Sequence, residues 1–228
     1  NFARQRDLFV TFMPKPMYQQ AGNGMHLHLF LTKNGKNAFY KKGEYGNLNQ
    51  VGRWFIGGML KHGPALSAFT NPSTNSYKRL VPGFEAPVYL SWSRRNRSSL
   101  IRVPQQNDGE GSGARAELRC PDPACNPYLA IAGMLQAGLE GIEKGYKLPD
   151  EMTTNLYRLS QDERAERGIV ALPGSLGEAI EELAKSELMQ RALGDHIFPR
   201  YVELKRREWN EYRIQVSEWE LGRYLAAL

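Results

Sequence analysis

The chain has 228 residues, 41% apolar side chains and a formal net charge of +6. That length holds one large domain or two small ones, with enough apolar material for a buried core. Two cysteines make no disulfide framework, and the longest apolar run, 129–139, falls short of the roughly 20 residues that span a bilayer, so a disulfide scaffold and a membrane span are both set aside.

The spacing predicts a short strand at 8–13, then a loop through Pro14-Lys15-Pro16 to Ala21-Gly22-Asn23-Gly24. Residues 25–31 alternate strictly. His26, His28 and Phe30 share one strand face, and the two histidines lie about 7 Å apart. Lys33-Asn34-Gly35-Lys36 reads as a turn. Helical spacing covers 48–61, and Gly63-Pro64 stops it.

The stretch 71–104 reads NPSTNSYKRLVPGFEAPVYLSWSRRNRSSLIRVP. It carries Lys78, Arg79, Arg94, Arg95, Arg97 and Arg102 against one anion, Glu85, and so holds most of the net charge. The sequence pI near 9.3 invites a nucleic-acid reading. These cations, however, sit among Pro, Gly, Trp and Tyr, in strands predicted at 88–93 and 100–103. A small phosphate-rich ligand fits such a segment as well as a duplex does. Arg79, Arg97 and Arg102 are candidate clamps for phosphate or carboxylate, because guanidinium binds either in a bidentate manner. Glu85, on a Pro-Gly loop among arginines, is a candidate base or lid residue.

Residues 105–113 read as a mobile loop. Residues 114–120 alternate again, with Arg115, Glu117 and Arg119 on one face. Three charges on one strand face need water or partners. Glu117 with His26 makes a mixed oxygen and nitrogen pair suited to Mg²⁺ or Mn²⁺, although two ligands do not complete a site. Asn126-Pro127 opens a helix to about 144. Ser175 with Glu178 is a capping box for a second helix to about 185, and a third runs over 196–216. The strands and helices predict one α+β unit, β-rich over 1–120 and α-rich over 121–228. Cys120 and Cys125 read as reduced thiols without a role, which makes a cytoplasmic setting the default. Tyr157 reads as a packing residue. No signal peptide opens the sequence. It starts at Asn1 in strand-like sequence, which points to a missing N-terminal part.

With these residues assembled, the sequence resembles glutamine synthetase of the type I bacterial kind, in its C-terminal catalytic part. The stretches that carry the resemblance are PKPMYQQAGNGMHLH (14–28), NPSTNSYKRLVPGFEAP (71–87), SRRNRSSLIRVP (93–104), RAELRCPDPACNPYLA (115–130) and NLYRLS (155–160). They span nearly the whole chain. The resemblance implies a curved antiparallel sheet packed with helices. It implies ATP-dependent ligation of ammonium to the glutamate side chain through γ-glutamyl phosphate, with Mg²⁺ or Mn²⁺.

Residue by residue, His26 and Glu117 match metal ligands. His28, Phe30, Arg97 and Arg102 match ATP contacts. Ala21, Gly22, Arg79, Glu85, Arg97 and Arg119 match glutamate-binding positions. Glu85, Arg97 and Arg115 match the catalytic set, with Glu85 on the mobile loop that takes a proton from ammonium. Phe30 departs from the family's usual Ser, and Ala21 from a common Asn. No Lys stands in the 105–113 loop. Tyr157 aligns with a tyrosine that some members adenylylate, in a context that argues against that modification here. The resemblance also implies a preceding β-grasp domain and further carboxylate ligands, neither of which is in these residues. The 228-residue chain alone is therefore expected to be inactive, and its full-length parent to assemble as hexameric rings into a dodecamer. No nucleic-acid or membrane partner is implied. The other readings are a γ-glutamyl-amine ligase of the same superfamily and a catalytically silent binding or regulatory homologue.

Overall fold

A computed structural model describes residues 2–84, 86–104 and 113–227. The glycine-bearing loop leads into β1 (Leu27–Leu29). A hairpin follows, β2 (Thr32–Lys33) and β3 (Lys36–Asn37). Asn34 and Gly35 turn it, both with left-handed φ, as an Asn-Gly turn favours. Helix α1 (Gln50–Lys61) starts where the Asn49 side chain accepts a hydrogen bond from the Gly52 N–H. Gly63-Pro64 ends it as predicted and also opens a second helix, α2 (Gly63–Thr70), because proline in a first turn needs no N–H partner. The short α3 (Ser76–Arg79) precedes β4 (Tyr89–Ser93), β5 (Ser99–Arg102) and β6 (Ala116–Leu118).

Helix α4 (Pro127–Lys144) has the predicted bounds. The Asn126 side chain caps Tyr128 and Leu129, and Gly145 turns left-handed behind it. After α5 (Gln161–Glu166) comes α6 (Leu176–Ala184), capped by Ser175. Glu178 returns its carboxylate to the Gly174 N–H and the Ser175 hydroxyl, so the capping box is shifted by one residue. The helical run α7 (Glu187–Arg213) begins earlier than the predicted 196. It breaks at Gly194, where φ is 71°, and resumes at the predicted place. Helix α8 (Glu218–Tyr224), which the periodicity missed, follows with its own capping box at Ser217.

The main sheet has the order β1-β6-β5-β4, so β6 and β5 are its inner strands. β1–β6 and β6–β5 are antiparallel, as expected. The outer pair β5–β4 is parallel, and the chain returns between its strands through residues 94–98 alone. That tight return is held by its own side chains. The Ser93 hydroxyl accepts from the N–H groups of Arg95 and Asn96, and the Asn96 amide donates to the carbonyls of Met152 and Thr154.

Register divides the sheet into two faces. Leu27, Leu118 and Ile101 pair across three strands, and Trp92 extends the row to β4. This row faces the helices and belongs to the core, with Phe55, Phe69, Met134 and Leu156. The next row, His28, Glu117, Arg102 and Ser93, carries the polar groups. Helix α4 packs on α1, and α6 on α2 and α7. The α1–α4 contact is close because Gly58 and Gly141 meet: a Cβ on Gly58 would lie 2.0 Å from the Ala137 carbonyl oxygen.

The predicted strand at 8–13 does not form. Its backbone has no strand partner among the described residues, and Phe9 and Phe12 stand exposed. Most of the predicted 105–113 loop, and Glu85, lie outside the described residues. Among the described residues no helix is long and apolar enough to cross a membrane.

Candidate active site

The polar row is completed from the strand ends. His26, two residues before His28, places its Nδ1 3.0 Å from Glu117 Oε1. Arg119 Nε is 3.6 Å from that same oxygen, and Arg102 Nε is 2.5 Å from Oε2. Glu117 is 2% exposed, so its charge is compensated inside the protein. Neither Oε2 nor the two guanidinium Nε atoms is aligned as a hydrogen bond among the described residues. A carboxylate beside an imidazole is a mixed oxygen and nitrogen donor set that fits a hard divalent ion. Among the described residues no third His, Cys, Asp or Glu joins the pair.

Both histidines are held toward the neutral form that donates a lone pair. Burial pushes His26 down, helped by Arg119 and Arg79 and opposed by Glu117. Burial also pushes His28 down, with Glu117 opposing and Arg115 and Arg102 assisting. Arg115 Nε donates to His28 Nδ1 at 3.0 Å.

Next to this row lies a cavity of about 410 Å³ lined by Ala21, Gly22, Gly24, His26, Arg79, Phe84, Ala86 and Arg119. Its floor depends on the glycine loop. Asn23 N–H donates to the Pro14 carbonyl, Met25 N–H to that of Pro121, and Asn75 bonds Lys15 through both N–H and carbonyl. A Cβ on Gly24 would lie 2.6 Å from Arg79 Nη2, so only a glycine lets the guanidinium lie against the loop. Arg79 is 4% exposed. It donates through Nη1 to the Cys120 carbonyl and through Nη2 to that of Arg119. No carboxylate among the described residues is within ion-pair distance of it. Burial pushes the pKa of both Arg79 and Arg119 down. A buried cation satisfied only by carbonyls is poised for an anion.

A second cavity of similar size is lined by Gly83, Arg95, Asn96, Arg97, Ser98, Thr153, Asn155 and Tyr157. The Arg119 guanidinium links the two by donating to the Arg97 carbonyl. A groove of about 890 Å³ along α7 holds none of the predicted site residues.

The sequence-predicted residues thus fall into three groups. Ala21, Gly22, His26, Arg79 and Arg119 surround one cavity. His28, Arg102, Arg115 and Glu117 line the adjoining sheet face. Arg97 lines the second cavity. Phe30, half-exposed past the end of β1, lines neither cavity. Glu85 lies outside the described residues.

Sequence reasoning missed the support behind Arg79. Asn71, fully buried, donates to the Cys120 carbonyl and to Asp122 Oδ2. The signal was present as two polar residues, each beside a proline: Asn71-Pro72 and Pro121-Asp122-Pro123.

A family model described as "Glutamine synthetase, catalytic domain" matches residues 1–224. Over 228 residues the chain is 51% identical to the Glutamine synthetase of Methanosarcina mazei, covering 100% of this chain and 50% of that protein. It is 53% identical to that of Thermococcus kodakarensis, covering 95% and 50%. Among solved structures, "GmaS/ADP complex-Conformation 1" aligns with a TM-score of 0.83 at 35% identity, covering 95% of this chain and 49% of that one. The chain spans about half the length of the curated relatives it matches.

Proposed function

Because the chain belongs to the glutamine synthetase catalytic-domain family, we propose that it is the C-terminal part of an ATP-dependent glutamate–ammonia ligase. The observation that carries this reading is the gathering of two buried arginines, Arg79 and Arg119, and of His26 around one cavity, with Glu117 bonded to His26 on the adjoining sheet face. Arg79 binds a glutamate carboxylate in place of a missing ion-pair partner, and Ala21 and Gly22 contribute backbone to the same wall. Arg97 and Arg102 face the phosphates, with Arg115 toward the transferred group. A divalent ion bound to His26 and Glu117, and to carboxylates outside this chain, supplies charge neutralisation for phosphoryl transfer.

In this reading the glutamate side chain attacks the terminal phosphate of ATP, ADP leaves, and ammonium yields a proton to Glu85 before ammonia displaces phosphate. Negative charge builds on the phosphoryl oxygens in the first step, and on the acyl oxygen and the departing phosphate in the second, and the fixed guanidinium donors stabilise it there. His28 and Phe30 sit on the nucleotide side. Further ligands from outside this chain complete the metal site, and an oligomer of the longer protein is the active form.

The experiment is an assay of the intact protein for γ-glutamyl hydroxamate from glutamate, ATP, Mg²⁺ and hydroxylamine. Product formation is expected, and its absence overturns the ligase reading. Identity near one half to proteins named Glutamine synthetase favours ammonia as the acceptor. Faster turnover with an alkylamine than with ammonium would reverse that preference.

A further inference from the structure

Tyr157 stands between the two cavities. Its ring lines the cavity that holds Arg97, and its hydroxyl donates to the carbonyl of Ala86, which lines the cavity of Arg79 and Arg119. The tyrosine is itself firmly mounted. Asn155 Oδ1 accepts from the Tyr157 N–H at 3.1 Å, and Leu156, with no exposed surface, donates its N–H to the Ser98 hydroxyl. Asn96 donates to the Thr154 carbonyl at 2.6 Å. The 152–158 segment is thereby tied to the tight return that carries Arg97, and the phenol reaches from it to the opposite wall.

The wall it reaches is a turn rather than a strand. Residues 81–84 turn through Gly83 at φ +95°, and Ala86 is buried directly after. Phe84 meets the ammonium of Lys15 at 3.8 Å, on the side of the glycine loop. One hydroxyl therefore couples the arginine-bearing return to a turn with little regular structure of its own. A half-buried hydroxyl-to-carbonyl bond of this kind fixes a wall where packing alone would leave it free to shift.

We propose that Tyr157 is a positioning residue, whose hydroxyl sets Ala86, and with it the wall of the Arg79 cavity that Ala86 lines, relative to Arg97. The inference rests on the reading of that cavity as the glutamate site. It departs from the sequence reading of Tyr157 as packing, which predicts no loss when the hydroxyl alone is removed.

The test is Tyr157→Phe in the intact protein, which keeps the ring and its contact with Tyr89. The KM for glutamate is expected to rise about tenfold, the KM for ATP to change less than threefold, and the melting temperature to stay close to wild type. Hydrogen–deuterium exchange is expected to quicken in peptides covering 81–88 and to stay unchanged in peptides from α4. An unchanged glutamate KM overturns the proposal, as does unchanged exchange over 81–88. Should the wild-type protein make no hydroxamate, the ligase reading fails by itself, and the exchange comparison alone decides whether the hydroxyl holds the wall.

Discussion

Arg79 Nη1 donates to the Cys120 carbonyl at 2.5 Å, and the same carbonyl accepts from Asn71 Nδ2 at 2.7 Å. The guanidinium is thus held from behind by a buried amide that never reaches the cavity. Asn71 also donates to Asp122, whose carboxyl is pushed up by burial against the hydrogen bonds that stabilise its charge. Asn71→Ala would strip a donor from a buried carbonyl and a buried carboxylate together. Thermal unfolding should show a loss of roughly 2–3 kcal/mol, and the intact protein should bind glutamate more weakly. A variant with wild-type stability would show that the network is not the support described.

Glu117 answers three partners, and its replacement separates charge from shape. Glu117→Gln keeps the side-chain volume but leaves Arg102 and Arg119 facing a neutral amide. Mn²⁺ binding to the intact protein, followed by electron paramagnetic resonance, should weaken at least tenfold, on the order of the loss seen when a metal site is disturbed. Retention of wild-type Mn²⁺ affinity would remove Glu117 from the ligand set.

The α1–α4 crossing depends on the absence of side chains. A Cβ on Gly58 would meet backbone at 2.0 Å and 2.9 Å, so the helices must separate to admit it. Gly58→Ala is expected to cost about 3 kcal/mol in chemical denaturation. Gly222, in α8 with open space around it, is the control. Gly222→Ala should be neutral or stabilise by up to about 1 kcal/mol, through helix propensity alone.

Another buried carboxylate, away from the candidate site, sets an acid limit on stability. Glu140 accepts from His62 Nε2 at 2.6 Å, from Lys144 at 2.9 Å and from the Tyr146 hydroxyl at 3.1 Å, with Arg191 from α7 at 3.5 Å. Burial pushes the Glu140 carboxyl up, but the hydrogen bonds from Lys144, His62 and Tyr146 outweigh it and hold the pKa down to about 2. Burial pushes His62 down, against the hydrogen bond and charge of Glu140. Both groups therefore take up protons more readily in the unfolded chain. Stability should be fully present above pH 6.5, begin to fall below it as His62 titrates in the unfolded state, and fall further from about pH 4.5 toward 2. Glu140→Gln should cost roughly 3 kcal/mol at pH 7 and flatten the acid arm, measured as melting temperature against pH. An acid arm as steep as wild type would assign the loss to other carboxylates.

Much of this organisation was legible in the residues. Alternation over 25–31 and 114–120 set His26 with His28, and Glu117 with Arg115 and Arg119, each group on one face of its own stretch, because side-chain direction follows from the two-residue strand period. The bounds of α4 were written in Asn126, Pro127 and Gly145. Other features were not legible, for physical reasons. The strand expected at 8–13 needs a partner, and local apolar sequence cannot supply one. The parallel return between β4 and β5 depends on Asn96 meeting carbonyls some 57 residues later, a contact no window contains. Tyr157 looked like packing because the acceptor of its hydroxyl is a backbone carbonyl, which leaves no trace in side-chain patterns.

His26 and Glu117 are separated by 91 positions in the chain. Nothing near either residue can bring them together; the pair exists only after β1 has closed onto β6. Pairing so distant in sequence is entropically late, since the intervening chain must be ordered before the contact is rewarded. Divalent-ion binding during refolding would therefore register the closing of β1 onto β6 and no earlier event. The same ion, once bound, would act as a thermodynamic lock on the longest loop in the sheet.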